Sequence, residues 1–372
     1  LIVQWGGTPS MRAFLLLVAA VYGVRPALRT AVMHRPSPRA TAMQLRATGS
    51  VRRKASELKQ ILAAAGVSTA GIVEKEELER LCDELEGDSA MLVPLAYVSG
   101  GAYAQIDDCR LLVDSGSAIS IVSSAACSRL EASSDESRFT LRSRRNPAIA
   151  LPGFRVVSAQ QRLPDGVDGI LGIDCLRTFH AAVFDWSTAS LWLHTQTLSE
   201  GHSFGTSVSM PLMMRRVSAG ELPFVPATFG SHSDAARRCE VDGLVDTGSP
   251  VTMVTPELAE RARVLGTSNR DDDVLTTGVD GQPTRMRASK CDVVALGDAS
   301  GTRLAHLNTT IYVGTCPMMM AVGWQNTAVA LLGLDVLRVG VVAGQPKAAI
   351  AGGPATGHLV MDFERGVLVV AE

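Results

Sequence analysis

The sequence predicts a mainly β protein that consists of two similar β-barrel lobes in tandem, preceded by a small α-helical hairpin. Three observations lead to this prediction. Small and β-branched residues dominate and aromatic residues make up only 5% of the chain, which favours short strands joined by turns. Three sequence blocks recur in the same order after residue 91, which indicates an internal repeat. Apolar residues recur at helical spacing between residues 56 and 88.

Residues 1–55 are predicted to be a disordered targeting leader. Residues 1–56 contain no Asp or Glu but many Arg. The apolar run at 14–24 is shorter than the roughly 20 residues needed to span a bilayer, and it is typical of a signal peptide. The basic stretch after it, rich in Ser and Ala, is typical of a transit peptide. Together they resemble the bipartite leaders of plastid proteins, so a plastid location is expected; the alternative is a secretory signal followed by a basic linker.

The segment 56–88 is predicted to be a helical hairpin. Two apolar stripes follow the spacing of one helix face, and a turn at 68–71 separates them; the stripes are Leu58, Ile61, Leu62 and Ala65, then Leu78, Leu81, Cys82 and Leu85. The phrases at 66–69 and 74–78 resemble the SAP-like hairpin, including the C-terminal module of the ARMET family. That resemblance implies a small docking unit, and the alternative is a spacer that packs on the main domain.

The repeat begins with two acidic turns, "LLVDSGSAISIV" around Asp114 and "GLVDTGSPVTMV" around Asp246. Each turn is followed by an apolar-Leu-Gly-x-Asp-x-Leu block and then by a short acidic-aromatic block. These blocks place lobe 1 at 91–200 and lobe 2 at 206–372. The aspartates that recur in the later blocks are interpreted as structural or solvent-facing acids; they are Asp174, Asp335, Asp185 and Asp362.

The two turns resemble the active-site loops of aspartic peptidases, and the compact spacing of the blocks is closest to retropepsin-like lobes. The resemblance implies that Asp114 and Asp246 are a catalytic pair that shares one proton and activates a water molecule. Two carboxylates that lie close together do not both ionise readily, so one lobe alone is insufficient for the reaction. Because both copies lie on one chain, the expected enzyme is a monomer with its lobes paired.

Neighbouring residues receive supporting roles from the same resemblance. Gly116 and Gly248 are expected to allow the tight turns that bring the two loops together. The hydroxyl groups of Ser115 and Thr247 are expected to lock the loops across the lobe boundary. Those of Ser117 and Ser249 are expected to bond the carboxylates. A turn that covers the site, called the flap, is expected after each aspartate. The candidate flap residues are Pro152, Gly153, Gly278 and Gly281. The flap tyrosine of pepsin-type lobes is missing, because no Tyr lies between Tyr103 and Tyr312.

Other classes of function find little support. A net charge of −2 gives no sign of nucleic-acid binding by the lobes, and no later apolar run suits a membrane helix. The histidines show no metal-ligand spacing and no Gly-rich phosphate loop is present, so neither a metal nor a cofactor is expected. Seven cysteines without a Cys-x-x-Cys pair argue against a disulfide scaffold or a zinc ribbon. "GHSFG" at 201–205 matches a serine-nucleophile motif but lacks the preceding strand and following helix, and is interpreted as a linker.

The sequence therefore predicts an aspartic endopeptidase whose partner is a peptide or protein substrate. Two alternatives remain open. One is an inactive module that binds peptides in a protease-like cleft. The other is an enzyme in which only lobe 2 is active and pairs between two chains.

Overall fold

A computed structural model describes the chain over the following residues: 54–64, 69, 74–86, 90–98, 100–135, 138–146, 148–157, 163, 166–198, 207–218, 220–231, 233–264, 274–277, 283–297, 304–315, 319, 324, 327–338 and 357–371. The predicted leader lies outside these residues except for 54 and 55. The expected fold class is confirmed, since the described residues are mainly β and form two sheets of thirteen and eight strands. No helix within the described ranges is long and apolar enough to cross a membrane.

The helical hairpin consists of α1 (Ala55–Ala64) and α2 (Lys75–Glu86). Its apolar stripes face a sheet rather than solvent. Five buried side chains on the two helices pack against buried side chains of four strands; they are Leu58, Leu62, Leu78, Leu81 and Cys82, against Leu92, Ala181, Val183, Trp192 and Val360. The hairpin is therefore joined to the main body through a small apolar core of its own.

Within its described residues, lobe 1 has ten strands and two short helices. They are β1 (Ala90–Val98), β2 (Gly101–Ile106), β3 (Cys109–Asp114), β4 (Ile121–Ser123), α3 (Ser124–Arg129), β5 (Glu131–Asp135), β6 (Arg138–Arg142), β7 (Ala150–Val157), β8 (Gly169–Gly172), α4 (Ile173–Leu176), β9 (Ala181–Asp185) and β10 (Ser190–His194).

Lobe 2 follows the same plan with longer strands. Its elements are β11 (Ser207–Pro211), β12 (Met213–Val217), β13 (Gly220–Gly230), a 3-10 turn (Ala235–Arg237), β14 (Arg238–Val245), β15 (Met253–Val254), α5 (Pro256–Arg261), β16 (Val274–Thr277), β17 (Pro283–Leu296), β18 (Leu304–Val313), β19 (Ala330–Leu332), α6 (Leu334–Leu337), β20 (His358–Asp362) and β21 (Val367–Ala371).

The repeat seen in the sequence is a structural repeat. In each lobe, the strand before the acidic turn pairs in parallel with the strand of the Leu-Gly block: β3 with β8, and β14 with β19. In each lobe, a hydroxyl residue caps the helix after the turn, because the side chains of Ser123 and Thr255 accept hydrogen bonds from backbone N–H groups of α3 and α5. The same sequence order thus builds the same local structure twice.

Strands from both halves of the chain form one shared run in the larger sheet. Its order is β11, β21, β20, β9, β10 and β1, and every neighbouring pair is antiparallel. The link between the halves is the pairing of β20 with β9, which sets His358 opposite Asp185. The helical hairpin lies on a face of this shared run, and a single apolar core cluster extends through both lobes.

Candidate active site

The two acidic turns face each other at the boundary between the lobes. Asp114 ends β3, whose side chains alternate between buried and partly exposed, and Asp246 follows directly after β14. Each chain then reverses in a tight turn, because the Ser117 N–H donates to the Asp114 carbonyl at 3.1 Å and the Ser249 N–H to the Asp246 carbonyl at 3.3 Å. The turns thereby bring one aspartate from each lobe to the boundary.

Each glycine of these turns lies against the aspartate of the other lobe. A β-carbon built on Gly116 would lie 2.6 Å from the Asp246 carboxyl carbon, and one on Gly248 would lie 2.5 Å from the Asp114 carboxyl carbon. Real β-carbons do not approach other atoms this closely, so no residue with a side chain fits either position without a shift. The two glycines allow the carboxyl groups of opposite lobes to approach one another.

Four hydrogen bonds lock the loops across the lobe boundary. The Ser115 hydroxyl donates to the Val245 carbonyl at 2.6 Å and accepts from the Thr247 N–H at 3.0 Å. The Thr247 hydroxyl donates to the Val113 carbonyl at 2.8 Å and accepts from the Ser115 N–H at 3.1 Å. Both side chains are fully buried. The expected cross-lobe bonding of Ser115 and Thr247 is thus present in a closed, two-fold symmetric set.

The Leu-Gly blocks are hydrogen-bonded to the acidic loops through a hydroxyl residue in each loop, an arrangement that was not predicted from the sequence. Ser120 donates its hydroxyl to Asp174 at 2.7 Å and accepts from the Gly172 N–H at 2.9 Å. In lobe 2, the Thr252 hydroxyl donates to Asp335 at 2.7 Å and accepts from the backbone N–H of the Leu-Gly glycine, Gly333, at 3.1 Å.

A signal for this arrangement was available in the sequence. A hydroxyl residue occurs at the same place in both copies, six positions after the aspartate of each acidic turn. The recurrent acids Asp174 and Asp335 therefore serve as acceptors that hold the loops, in line with their interpretation as structural residues.

The hydroxyl groups of Ser117 and Ser249 do not bond the carboxylates as expected. The Ser117 hydroxyl donates to the Ile119 carbonyl at 3.0 Å, and the Ser249 hydroxyl to the Val251 carbonyl at 2.7 Å. The backbone makes the contacts instead, since the Gly248 N–H donates to the Asp246 carboxylate at 2.9 Å. The reason is the tight turn, which sets the serine hydroxyl beside a carbonyl two residues further along the chain.

The electrostatics of the two aspartates are unequal. Burial raises the pKa of Asp114, while a side-chain hydrogen bond with Asp246 and the backbone N–H groups of Gly116 and Ser117 oppose that rise. Burial also raises the pKa of Asp246, and here the charge of Asp114 and their mutual hydrogen bond raise it further. Both pKa values are therefore raised, and the two carboxyl groups titrate as a pair that shares a proton.

A hairpin turn from each lobe touches the acidic loop of the other lobe. A β-carbon on Gly100, in the β1–β2 turn, would lie 2.8 Å from the Pro250 β-carbon. A β-carbon on Gly220, after the β12–β13 turn, would lie 3.0 Å from the Ala118 β-carbon. Pro250 and Ala118 occupy the same place in the repeat, so the two contacts are related by the same two-fold symmetry as the aspartates.

The flap candidates have different outcomes. Pro152 and Gly153 lie inside β7, so the expectation that they form a turn is wrong. Gly153 has φ +88°, and a register shift in the β6–β7 pairing lies at this point, which makes the pair part of a bulge in the strand. The hairpin that follows the lobe 1 helix is instead β5–β6.

The corresponding hairpin of lobe 2 is β16–β17, whose strands pair from Val274 with Met286 to Thr277 with Pro283. The flap candidates Gly278 and Gly281 fall between these strands and lie outside the described residues. Strand β17 has 14 residues and β6 has 5, so the lobe 2 hairpin contains the longer strand.

No group of three or more His, Cys, Asp or Glu side chains within the described part of the chain is arranged to hold a metal ion. The described cysteines form no disulfide bonds with one another, and most of them are buried. The candidate site therefore consists of two carboxyl groups, the backbone N–H groups beside them and the hydroxyl groups that hold the loops.

No family model matches the chain, and no curated protein matches it significantly. Among solved structures, basic 7S globulin from soybean matches with 12% identity and a TM-score of 0.42, over 76% of this chain and 95% of that one. An aspartic proteinase from Irpex lacteus matches with 15% identity and a TM-score of 0.40, over 76% and 97%.

The architecture itself has the features of an aspartic-protease-like fold. Two mainly β lobes each end a strand in an Asp-[Ser/Thr]-Gly turn, and a run of strands from both halves of the chain joins them.

Proposed function

We propose that the protein is an aspartic endopeptidase in which Asp114 and Asp246 form one catalytic pair. The observation that carries this proposal is the reciprocal contact of each turn glycine with the opposite carboxyl group. A contact of this kind is required by two carboxyl groups that share a proton, and it is not required by two independent acidic turns. The cross-lobe bonds of Ser115 and Thr247 support the same conclusion, because they fix the two loops to one another.

A buried pair that shares one proton supplies one ionised and one protonated carboxyl group, and the proposal assigns the ionised form to Asp114. A water molecule binds between the carboxyl groups, and the ionised Asp114 takes one of its protons while the water oxygen bonds to the peptide carbonyl carbon. Asp246, which is protonated, gives its proton to the carbonyl oxygen and so stabilises the tetrahedral intermediate. The C–N bond then breaks as the proton on Asp114 passes to the leaving nitrogen, and the second hydroxyl of the intermediate returns its proton to Asp246.

Several narrower parts of the proposal rest on sequence resemblance. The lobes are proposed to be retropepsin-like, because the spacing between the repeated blocks is compact and the flap tyrosine is missing from lobe 1. The substrate is a peptide or protein, and the reaction needs no metal or cofactor. A plastid location is proposed from the basic, acid-free leader, and the SAP-like hairpin is proposed to belong to the main body on account of its apolar contacts.

The decisive experiment compares Asp114→Asn and Asp246→Asn with the parent chain in a peptide-library cleavage assay across acid and neutral pH. We expect each variant to lose at least about a thousandfold in kcat/KM, because neither carboxyl acts alone. The matched control is Asp108→Asn, an exposed acid of lobe 1 whose side chain is 69% accessible and forms an ion pair with Arg145. Its activity should equal that of the parent.

The outcomes separate the alternatives. Full activity in both single variants contradicts the proposal. Binding of library peptides by the parent without any cleavage identifies an inactive binding module. Activity that survives Asp114→Asn and rises with protein concentration identifies lobe 2 pairing between chains.

A further inference from the structure

Two arginines at equivalent places in the repeat reach from one lobe into the other. Arg177 follows α4 and Arg338 follows α6, each five positions after the glycine of its Leu-Gly block. Arg177 forms an ion pair with Glu221 on β13 of lobe 2. Arg338 lies over the rings of Tyr97 and Trp186 in lobe 1. The same backbone position thus makes a contact of different chemistry on each side.

The Arg338 contact is compact and largely shielded from water. Its guanidinium carbon lies 4.5 Å from the Tyr97 ring centre and 5.2 Å from that of Trp186, and the two ring centres are 5.7 Å apart. Trp186 is only 4% exposed. Burial lowers the pKa of the Arg338 guanidinium. A cation placed over two ring faces away from water gains more than the same contact at an exposed surface.

Three polar atoms of this cluster make no hydrogen bond. Arg338 Nε, Tyr97 Oη and Trp186 Nε1 are buried atoms without a hydrogen-bond partner. The position of Arg338 therefore depends on stacking and packing against the two rings. Lysine is a poorer partner for two stacked rings than arginine, because its ammonium group is neither planar nor weakly hydrated.

The Arg177 contact is weaker by comparison. The side chains of Arg177 and Glu221 are 40% and 41% exposed. Exposed ion pairs of this kind contribute little to stability and are screened by salt. Of the two arginine contacts between the lobes, that of Arg338 with Tyr97 and Trp186 is therefore the stronger.

Arg338 is linked to the lobe 2 acidic loop from two directions. Through its own helix, the Leu334 N–H donates to the Ser249 carbonyl at 2.9 Å, and Asp335 accepts from Thr252. Through its ring contacts it restrains Tyr97 on β1, and the β1–β2 turn that follows places Gly100 against Pro250 of the same acidic loop. The loop that carries Asp246 is thus contacted both by α6 of its own lobe and, through Tyr97 and Gly100, by lobe 1.

We propose that Arg338, stacked on Tyr97 and Trp186, is a positioning residue that fixes the lobe 2 loop and hence the approach of Asp246 to Asp114. The inference rests on the proposed function for its kinetic readout, but its structural readout does not require activity. Arg177 is the corresponding residue on the other side and makes only a minor contribution.

The kinetic test compares Arg338→Met and Arg338→Lys with Arg177→Met and Arg177→Lys. We expect both Arg338 variants to lose about a hundredfold in kcat with little change in KM, since a misplacement of about 1 Å costs that much. The two apparent pKa values of the pH–rate profile should also move closer together, because the carboxyl groups interact less when they are further apart. Both Arg177 variants should retain the parent profile.

The structural test measures the distance between the lobes directly. Spin labels on non-natural residues at the exposed positions Val156 and Leu307 report one lobe each, and pulsed electron resonance gives the distance distribution. We expect the distribution to broaden in Arg338→Met and Arg338→Lys and to remain that of the parent in both Arg177 variants. Circular dichroism verifies that each variant is folded.

The results separate this inference from the proposed function. An unchanged distance distribution in Arg338→Met overturns the inference, whether or not the parent cleaves peptides. Equal broadening in the Arg177 and Arg338 variants also overturns it. A parent chain without peptidase activity, combined with broadening only in the Arg338 variants, contradicts the proposed function and leaves the restraint on the lobes established.

Discussion

Gly248 of lobe 2 lies against Asp114 of lobe 1, where a β-carbon on the glycine would be 2.5 Å from the carboxyl carbon. Gly116 stands in the same relation to Asp246 at 2.6 Å. We expect Gly248→Ala and Gly116→Ala each to push the carboxyl groups apart and to reduce kcat/KM by about a hundredfold or more. Cleavage of a fluorogenic peptide measures this directly.

The control for backbone strain is Gly153→Ala. Gly153 has φ +88°, but its β-carbon would meet only Arg138 Nη1 at 3.9 Å. This variant should lose about 1–2 kcal/mol of stability and keep its activity. Retention of full activity by Gly116→Ala and Gly248→Ala would show that the two turns do not form one site.

The cross-lobe bonds of Ser115 and Thr247 should act as one unit. Removal of either hydroxyl leaves a buried backbone group without its partner, at a cost of about 1–3 kcal/mol. Because each hydroxyl also bonds the other residue's N–H, we expect Ser115→Ala and Thr247→Ala to be non-additive by about 1 kcal/mol or more. A double-mutant cycle in urea measures the coupling, and strict additivity would argue against a connected set. Thr247→Ser, which keeps the hydroxyl, is the matched control.

The aspartate pair should reduce stability at neutral pH. Both carboxyl groups have a raised pKa in the folded chain, so the folded protein holds protons that the unfolded chain releases above its ordinary value of 3.8. The associated stability is present below that pH and is lost as the pH rises through the raised values. We expect Asp246→Asn to raise the thermal midpoint by a few degrees at pH 7 and hardly at pH 3.

Scanning calorimetry at the two pH values tests this expectation, with Asp108→Asn as the exposed control. An equal effect of Asp246→Asn at both pH values would show that its carboxyl group titrates normally.

His306 should make the folded protein less stable as the pH falls, the opposite direction to the aspartate pair. It is 8% exposed on β18, its Nε2 lacks a hydrogen-bond partner, and burial lowers its pKa to about 4. A lowered pKa for a base means that the stability it contributes is present above 6.5 and is lost as the pH falls towards 4. We expect His306→Gln to flatten the decline in unfolding free energy between pH 6.5 and 4. A decline of unchanged slope would show that another group is responsible.

The helical hairpin should unfold together with the lobes. Leu62 is fully buried in the core that α1 and α2 share with Trp192 and the joining strands. Leu62→Ala should cost about 2–5 kcal/mol, while Lys59→Ala on the exposed side of α1 should cost almost nothing. Tryptophan fluorescence and circular dichroism in urea should report one transition. Two separate transitions would identify the hairpin as an independent unit.

Local patterns predicted much of this structure correctly. The acidic turns, the Leu-Gly blocks and the two helices depend on neighbours within a few residues, and their sequence signals are local. Cross-lobe bonding by Ser115 and Thr247 was predicted from the resemblance and is present. The direction of the Ser117 and Ser249 hydroxyls was predicted wrongly, because it depends on which carbonyl the turn brings within reach.

Longer-range features were beyond the reach of the sequence. Pro152 and Gly153 have the composition of a turn, but pairing with β6 and β4 keeps them in a strand, where the glycine accommodates a bulge. The sequences of β20 and β9 do not predict that these two strands pair, because any two apolar strands could pair in this way. The contact of Arg338 with Tyr97 likewise joins residues whose proximity follows only from the assembled lobes.

The shared run of strands has a consequence for the order in which the protein is made. Strands β20 and β21 hold β9 and β11 together, so the shared run of strands cannot be completed until residues up to Ala371 have been synthesised. The helices made first also need these last strands, since Val360 completes their apolar contact. A growing chain on the ribosome therefore carries both acidic turns before the shared run is complete, and we expect it to acquire its chemistry only after β20 and β21 are in place.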